Sequence, residues 1–290
     1  LPIGIPSSLP DNELSTRRYC ADGPGEVIAG AFVNDTQLVD RDMTAGARGD
    51  QGPDPVETLY IFPHAGGSAR SYVPFARAFT SPVRRVAVQY PGHADRHDVP
   101  DIGSIPTLAG DVYDLLAAGI TSDAPVAFFG HSMGGLIAFE VARKFEAGGK
   151  PIAALFLSAS PAPGHGGYQE LHQSSDGELL KMVADMTGTD TEFIGDRFGA
   201  TILRTLRNYG AITEYNCPPG TTVACPIYAY AAADDTAVSY ERVAAWSAFT
   251  TAAFDIQVVA GDHFFITEKV AEVVGDIERR LASHGNDRWR

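Results

Sequence analysis

From Glu57 onward the chain alternates between two kinds of apolar pattern. Short continuous apolar runs have the length and composition of buried strands: Val126 to Phe129, the stretch IAALFLSAS that begins at Ile152, residues 226–232, and Ile256 to Val259. Between such runs apolar residues recur at helical spacing, as at Leu136, Ile137, Val141 and Phe145, until Gly148 and Gly149 end the helix. Strands and helices in alternation predict an α/β domain over 56–290, with a mostly parallel central sheet flanked by helices. Residues 1 to about 55 differ. They have almost no apolar period and are rich in Gly, Pro and Asp, with nine acidic residues against four basic, so a loosely ordered N-terminal extension is expected there.

Composition narrows the partners. The net charge of −14 argues against a nucleic-acid binder, which normally presents a basic face. No apolar run reaches the length of a membrane span, and the first residues lack a basic segment followed by an apolar one. A cytoplasmic location is therefore expected. Cys20, Cys217 and Cys225 are too few and too unevenly placed for a disulfide framework, and no Cys/His spacing suggests zinc, so neither metal nor cofactor is expected.

Candidate chemistry centres on Gly130-His131-Ser132-Met133-Gly134, a G-x-S-x-G between a strand-like and a helix-like run. At such a corner the glycines permit a cramped turn that exposes the serine hydroxyl, and the helix N-terminus behind it favours developing negative charge. A serine needs a base, and histidine has the suitable pKa. Where a G-x-S-x-G serine stands at such a corner, its partners follow in the order Ser, acid, His. This order removes His64, His93, His97 and His131, while His165 and His172 lie in a loop and His284 in the polar tail. His263 remains, just after the strand-like run that ends at Val259, with Phe264 and Phe265 beside it as candidate walls against water. The acid should follow the preceding strand, where Asp234 and Asp235 stand together and spacing alone does not separate them. Asp262, adjacent to the histidine in sequence, is poorly placed to orient it. An oxyanion hole needs two backbone N–H groups. One is expected from Met133. The other is expected from Pro63-His64-Ala65-Gly66-Gly67, with Ala65 the first choice and Gly66 the alternate.

With these residues in order, the chain resembles the type II thioesterases, free-standing hydrolases that work beside polyketide and nonribosomal peptide synthases. The resemblance rests on FPHAGGSARSYVPFA, VQYPGHADR, FFGHSMGG, DDTAVSYERVAAW and GDHFF, spread over 57–283, and looks closest to mycobacterial and actinobacterial members serving lipid-making polyketide synthases. It implies an α/β-hydrolase fold and a Ser132, Asp235, His263 triad, with Asp235 the acid because it begins the family's D-x-x-V-S pattern ahead of Trp246. A helical lid inserted after the sixth strand is also implied. Residues 161–222 are placed to form it, with amphipathic stretches in GELLKMVADMTG and ATILRTLRNYGAI. The implied reaction is hydrolysis of acyl thioesters on the phosphopantetheine arm of acyl or peptidyl carrier proteins. Two features depart from the family: His93 stands where an arginine is common, and the acidic N-terminal extension is additional. A general carboxylesterase or lipase acting on oxygen esters is the alternative, since the fold does not choose between them.

Overall fold

The computed structural model describes residues 32–33, 36–41, 56–90, 104–120, 124–166, 175–187, 203 and 215–284. Eight strands form one sheet in the order β1-β2-β4-β3-β5-β6-β7-β8. Six of them run parallel: β3 (Thr58–Phe62), β4 (Arg84–Gln89), β5 (Val126–His131), β6 (Ala154–Ser158), β7 (Ile227–Ala232) and β8 (Phe254–Val259).

Apolar runs without alternation are what a sheet covered on both faces requires, because successive side chains point to opposite sides. Tyr60, Phe62 and Phe128 face one core, which they share with α2 (Ile105–Gly119) and α3 (Met133–Ala147). Leu59, Ile61 and Phe129 face the other, against α1 (Val73–Arg77) and the long C-terminal helix Val270–His284. Phe128, Phe129, Leu59 and Ile61 are fully buried, and side chains of this kind contribute about 1.5–3 kcal/mol each. The strand ends are therefore held by fully buried side chains on both faces of the sheet.

The remaining two strands correct one expectation. Within the segment read as loosely ordered, β1 (Phe32–Val33) and β2 (Thr36–Arg41) form a hairpin, and β2 pairs antiparallel with β4 from Gln37 opposite Gln89 to Arg41 opposite Arg85. Such a pair satisfies main-chain hydrogen bonds at the open edge of β4 and needs no apolar period, so the pattern of hydrophobic positions does not reveal it. The rest of 1–55 lies outside the described residues, as do His93, Arg96, His97 and His172.

In 161–222 the described helix is α4 (Asp176–Thr187), which overlaps the first amphipathic stretch, and Leu179 on it is fully buried. Of the second stretch, 200–212, only residue 203 is described. The two ends of the 161–222 segment are joined. The N–H of Gly164 donates to the carbonyl of Tyr215 at 3.1 Å, and the Tyr215 hydroxyl donates to the Glu140 carboxylate on α3.

Candidate active site

Ser132 stands between the end of β5 and the first turn of α3, at φ 54° and ψ −124°. For a residue with a β-carbon this backbone costs about 1–3 kcal/mol, and the surrounding contacts must hold it. Two main-chain bonds do so: Ser132 N–H donates to the Ser158 carbonyl on β6 at 2.8 Å, and Gly135 N–H donates to the Ser132 carbonyl at 2.9 Å. Close approach explains the second motif glycine, because a β-carbon on Gly134 would lie 2.0 Å from the carbonyl oxygen of Phe62. The corner is thus pressed against the end of β3, where the loop 63–67 begins.

His263 and Asp235 come from the connections that follow β8 and β7. His263 Nδ1 lies 2.7 Å from Asp235 Oδ2, and both side chains are almost fully buried. A carboxylate only accepts, so Nδ1 carries the proton and Nε2 keeps its lone pair for the proton of another group. The other carboxylate oxygen, Oδ1, accepts from the N–H groups of Ala237 and Val238 at 2.8 and 2.9 Å. These bonds separate the two neighbouring aspartates. Burial alone would raise the carboxyl of Asp235, but the hydrogen bond and charge of His263, with those two N–H groups, hold it below the usual carboxylate range. Asp234 is exposed, and the Asp262 carboxylate is taken up by the N–H of Phe264 at 2.8 Å.

The nucleophile candidate and the acid-base pair meet through aromatic rings. The imidazole of His131, the residue before Ser132, lies 5.2 Å from that of His263, centroid to centroid. His131 is fully buried, and Nδ1 is hydrogen-bonded to the Ser158 hydroxyl at 3.0 Å. Burial, reinforced by the nearby His263 and His64, holds His131 well below the ordinary histidine range, so it stays neutral. The two phenylalanines behave differently. Phe265 is buried in the core and meets only His131 among the described histidines, edge-on at 6.4 Å, whereas half-buried Phe264 packs against His64, His131 and His263 at 4.9, 5.6 and 5.2 Å. Ser158 and Tyr72, which hold this cluster, are not singled out by the sequence: Ser158 is one residue of an apolar run, and Tyr72 lies within FPHAGGSARSYVPFA without a role of its own.

Four backbone N–H groups are available in the loop after β3, because Pro63 has none. His64 donates to the Tyr72 hydroxyl at 3.2 Å and Gly67 to the His64 carbonyl at 2.9 Å. Ala65 and Gly66 have no acceptor among the described residues. Met133 opens α3, so its own N–H has no partner within the helix. Backbone donors therefore remain on both sides of the serine.

The thioesterase domain family matches residues 57–281. The chain belongs to the thioesterase family. It is a thioester hydrolase of the α/β-hydrolase fold. The thioesterase is 49% identical over 222 residues to "Thioesterase TesA" of Mycobacterium marinum, covering 76% of this chain and 89% of that one. Among solved structures it is similar to the type II thioesterase BorB from the borrelidin biosynthetic cluster, at 34% identity and a TM-score of 0.68, covering 81% of this chain and 100% of that one. It is also similar to RedJ, the thioesterase of the prodiginine biosynthetic pathway in Streptomyces coelicolor, at 30% identity and a TM-score of 0.71, covering 82% and 96%. Among the described residues of the thioesterase, no group of His, Cys, Asp and Glu side chains could hold a metal ion, and no helix is long and apolar enough to cross a membrane.

Proposed function

We propose that this thioesterase is of the free-standing type II kind and removes stalled or aberrant acyl groups from the phosphopantetheine arm of acyl or peptidyl carrier proteins in polyketide or nonribosomal peptide synthesis. The observation that carries the reading is the buried Asp235–His263 pair next to the strained corner at Ser132. Support for the reading comes from BorB, a type II thioesterase of the borrelidin biosynthetic cluster, and RedJ, the thioesterase of the prodiginine biosynthetic pathway.

In this mechanism His263 Nε2 takes the proton of Ser132 Oγ as the oxygen attacks the thioester carbonyl. Asp235 holds the imidazole in the needed tautomer and stabilises the imidazolium. The N–H groups of Met133 and Ala65 stabilise the oxyanion. The carbon–sulfur bond breaks, and the thiol leaves with the proton that His263 returns. Water, deprotonated by the same histidine, then attacks the acyl-serine and releases the carboxylic acid. A thiol, with a pKa of ~8.5, leaves more readily than an alkoxide or amine. Admission of the acyl arm is then the demanding step, and residues 161–222 act as the lid that governs it.

The carrier docks on a small basic surface beside the loop 63–67. Of the arginines in that part of the sequence, Arg85 is unavailable. It is buried, its guanidinium donates to the carbonyls of Ala76, Ser81 and Val83, and it lies over the Phe79 ring. Arg70 and Arg77 are exposed, on the turn Ala69–Tyr72 and on α1, and offer positive charge on a chain that is otherwise strongly acidic. Mass spectrometry of a carrier protein loaded with different acyl groups, before and after incubation with the enzyme, tests the reading. Release of free carrier thiol is expected, at a rate exceeding hydrolysis of the matched oxygen ester, and preference for the ester would overturn the proposal. Reversing Arg70 and Arg77 to Glu should slow the carrier substrate about tenfold and leave a small acyl thioester unchanged; equal losses on both would remove the docking surface.

A further inference from the structure

The loop that supplies the second oxyanion donor is held from an unexpected side. Tyr72 lies on the short 3₁₀ turn that follows the loop and is only 3% exposed. Its hydroxyl lies 3.2 Å from the backbone N of His64 and 2.8 Å from Nδ1 of the same residue. The amide can only donate, so the phenol oxygen accepts there. The phenol proton has no other acceptor among the described residues, and a buried hydroxyl left without one costs about 1–3 kcal/mol. It is therefore donated to His64 Nδ1, which fixes His64 as the neutral tautomer with its proton on Nε2. Burial raises the Tyr72 phenol well above its ordinary range, so this donor does not ionise.

One residue onward, the geometry reaches the oxyanion. Gly67 N–H donates to the His64 carbonyl at 2.9 Å, and Gly66 has φ 80°, the arrangement of a type II turn with glycine at its third position. The His64 carbonyl and the Ala65 N–H belong to one planar trans peptide and point in opposite directions. Tying the carbonyl into the turn therefore turns the Ala65 N–H outward, and the orientation of that plane depends on how His64 is held. Among the described residues its ring meets Tyr72, Phe264 at 4.9 Å and His131 at 5.7 Å. Of these three, Tyr72 holds both the ring and the backbone.

We propose that Tyr72 is a positioning residue for the thioesterase reaction: its hydroxyl clamps the ring and the backbone of His64 and thereby aims the Ala65 N–H at the developing oxyanion. This rests on the reading of Ala65 as oxyanion donor. Removing an oxyanion donor outright costs about 10²–10³ in kcat, and a donor that is only loosened should cost less. Tyr72→Phe keeps the ring in the core and should lower kcat about 10–50-fold on a small acyl thioester, with KM changed less than twofold. A role in packing alone would instead lower the melting temperature and leave kcat of the folded enzyme intact, which would overturn the proposal.

A double-mutant cycle separates this idea from the reading beneath it. Ala65→Pro deletes the N–H and should lower kcat about 10²–10³-fold, and adding Tyr72→Phe should then cost little more. If Ala65→Pro keeps its activity, the donor assignment fails. If both single changes are costly and their effects multiply in full, Tyr72 does not act through Ala65. Nitrogen-15 resonances of His64 in the unaltered enzyme test the clamp without any variant: Nδ1 should be unprotonated and Nε2 protonated near neutral pH, and a proton on Nδ1 would overturn the clamp.

Discussion

The two halves of the candidate site are built in different ways. At the ends of β7 and β8 the chemistry resides in side chains: a carboxylate and an imidazole 2.7 Å apart, buried together, with the acid pinned by two N–H groups. At the ends of β3 and β5 it resides largely in the main chain: a serine at positive φ, a helix start, and a turn whose first peptide is held by Gly67 at the His64 carbonyl, with Tyr72 holding the His64 N–H. The first half is specified by residue type and tolerates no chemical change. The second is specified by conformation and tolerates no change of backbone shape. That difference predicts how each half should fail.

The largest effect is expected where the halves meet. Ser132→Ala removes the proposed nucleophile and should lower thioester hydrolysis by about 10⁴–10⁶, measured as thiol release, while unfolding remains close to that of the unaltered enzyme. Next, Asp235→Asn should cost about 10⁴ in kcat, because an amide favours the wrong imidazole tautomer. Asp234→Asn, one residue away and exposed, should stay within about twofold, and a comparable loss from both would break the assignment of the acid. In the main-chain half, Gly66→Ala leaves every reacting side chain in place but puts a β-carbon at φ 80°. It should destabilise the fold by about 1–2 kcal/mol and slow hydrolysis about tenfold, read by thermal unfolding and steady-state rates.

The smallest effect concerns acid. The carboxyl of Asp235 lies lower in the folded chain than in the unfolded one, so its contribution to stability is fully present above the ordinary aspartate range and is lost as pH falls through its folded value. From about pH 4 downward the melting temperature of the unaltered enzyme should fall more steeply than that of Asp235→Asn. Parallel curves would mean that the pair contributes to catalysis without contributing to stability.

Much of this arrangement is legible in the sequence, and the reason is specific to each residue. Ser132 is legible because its glycines and flanking apolar runs describe a strand-to-helix corner. His263 is legible because chain order excludes most of the other histidines. Asp235 is legible only through a family pattern, and the structure shows a physical basis for it: the two residues whose N–H groups bond Oδ1 are Ala237 and Val238, inside D-x-x-V-S. Arg85 reads in the sequence like any surface arginine, since nothing in its neighbourhood reveals that three carbonyls enclose its guanidinium. The hairpin of β1 and β2 is hidden because edge pairing leaves no apolar period to read.

By itself the sequence determined the fold class, the alternation of strand-like and helix-like runs beyond residue 56, and the candidate residue types for attack, proton acceptance and orientation of the base. Those properties are local, being carried by apolar spacing, glycine position and functional groups. The tertiary structure decided which of two adjacent aspartates meets His263, which arginines remain on the surface, and how Ser158 and Tyr72 hold the corner and the loop. Such choices depend on contacts between segments far apart in the chain, where burial and hydrogen-bond geometry select one partner among chemically equal candidates.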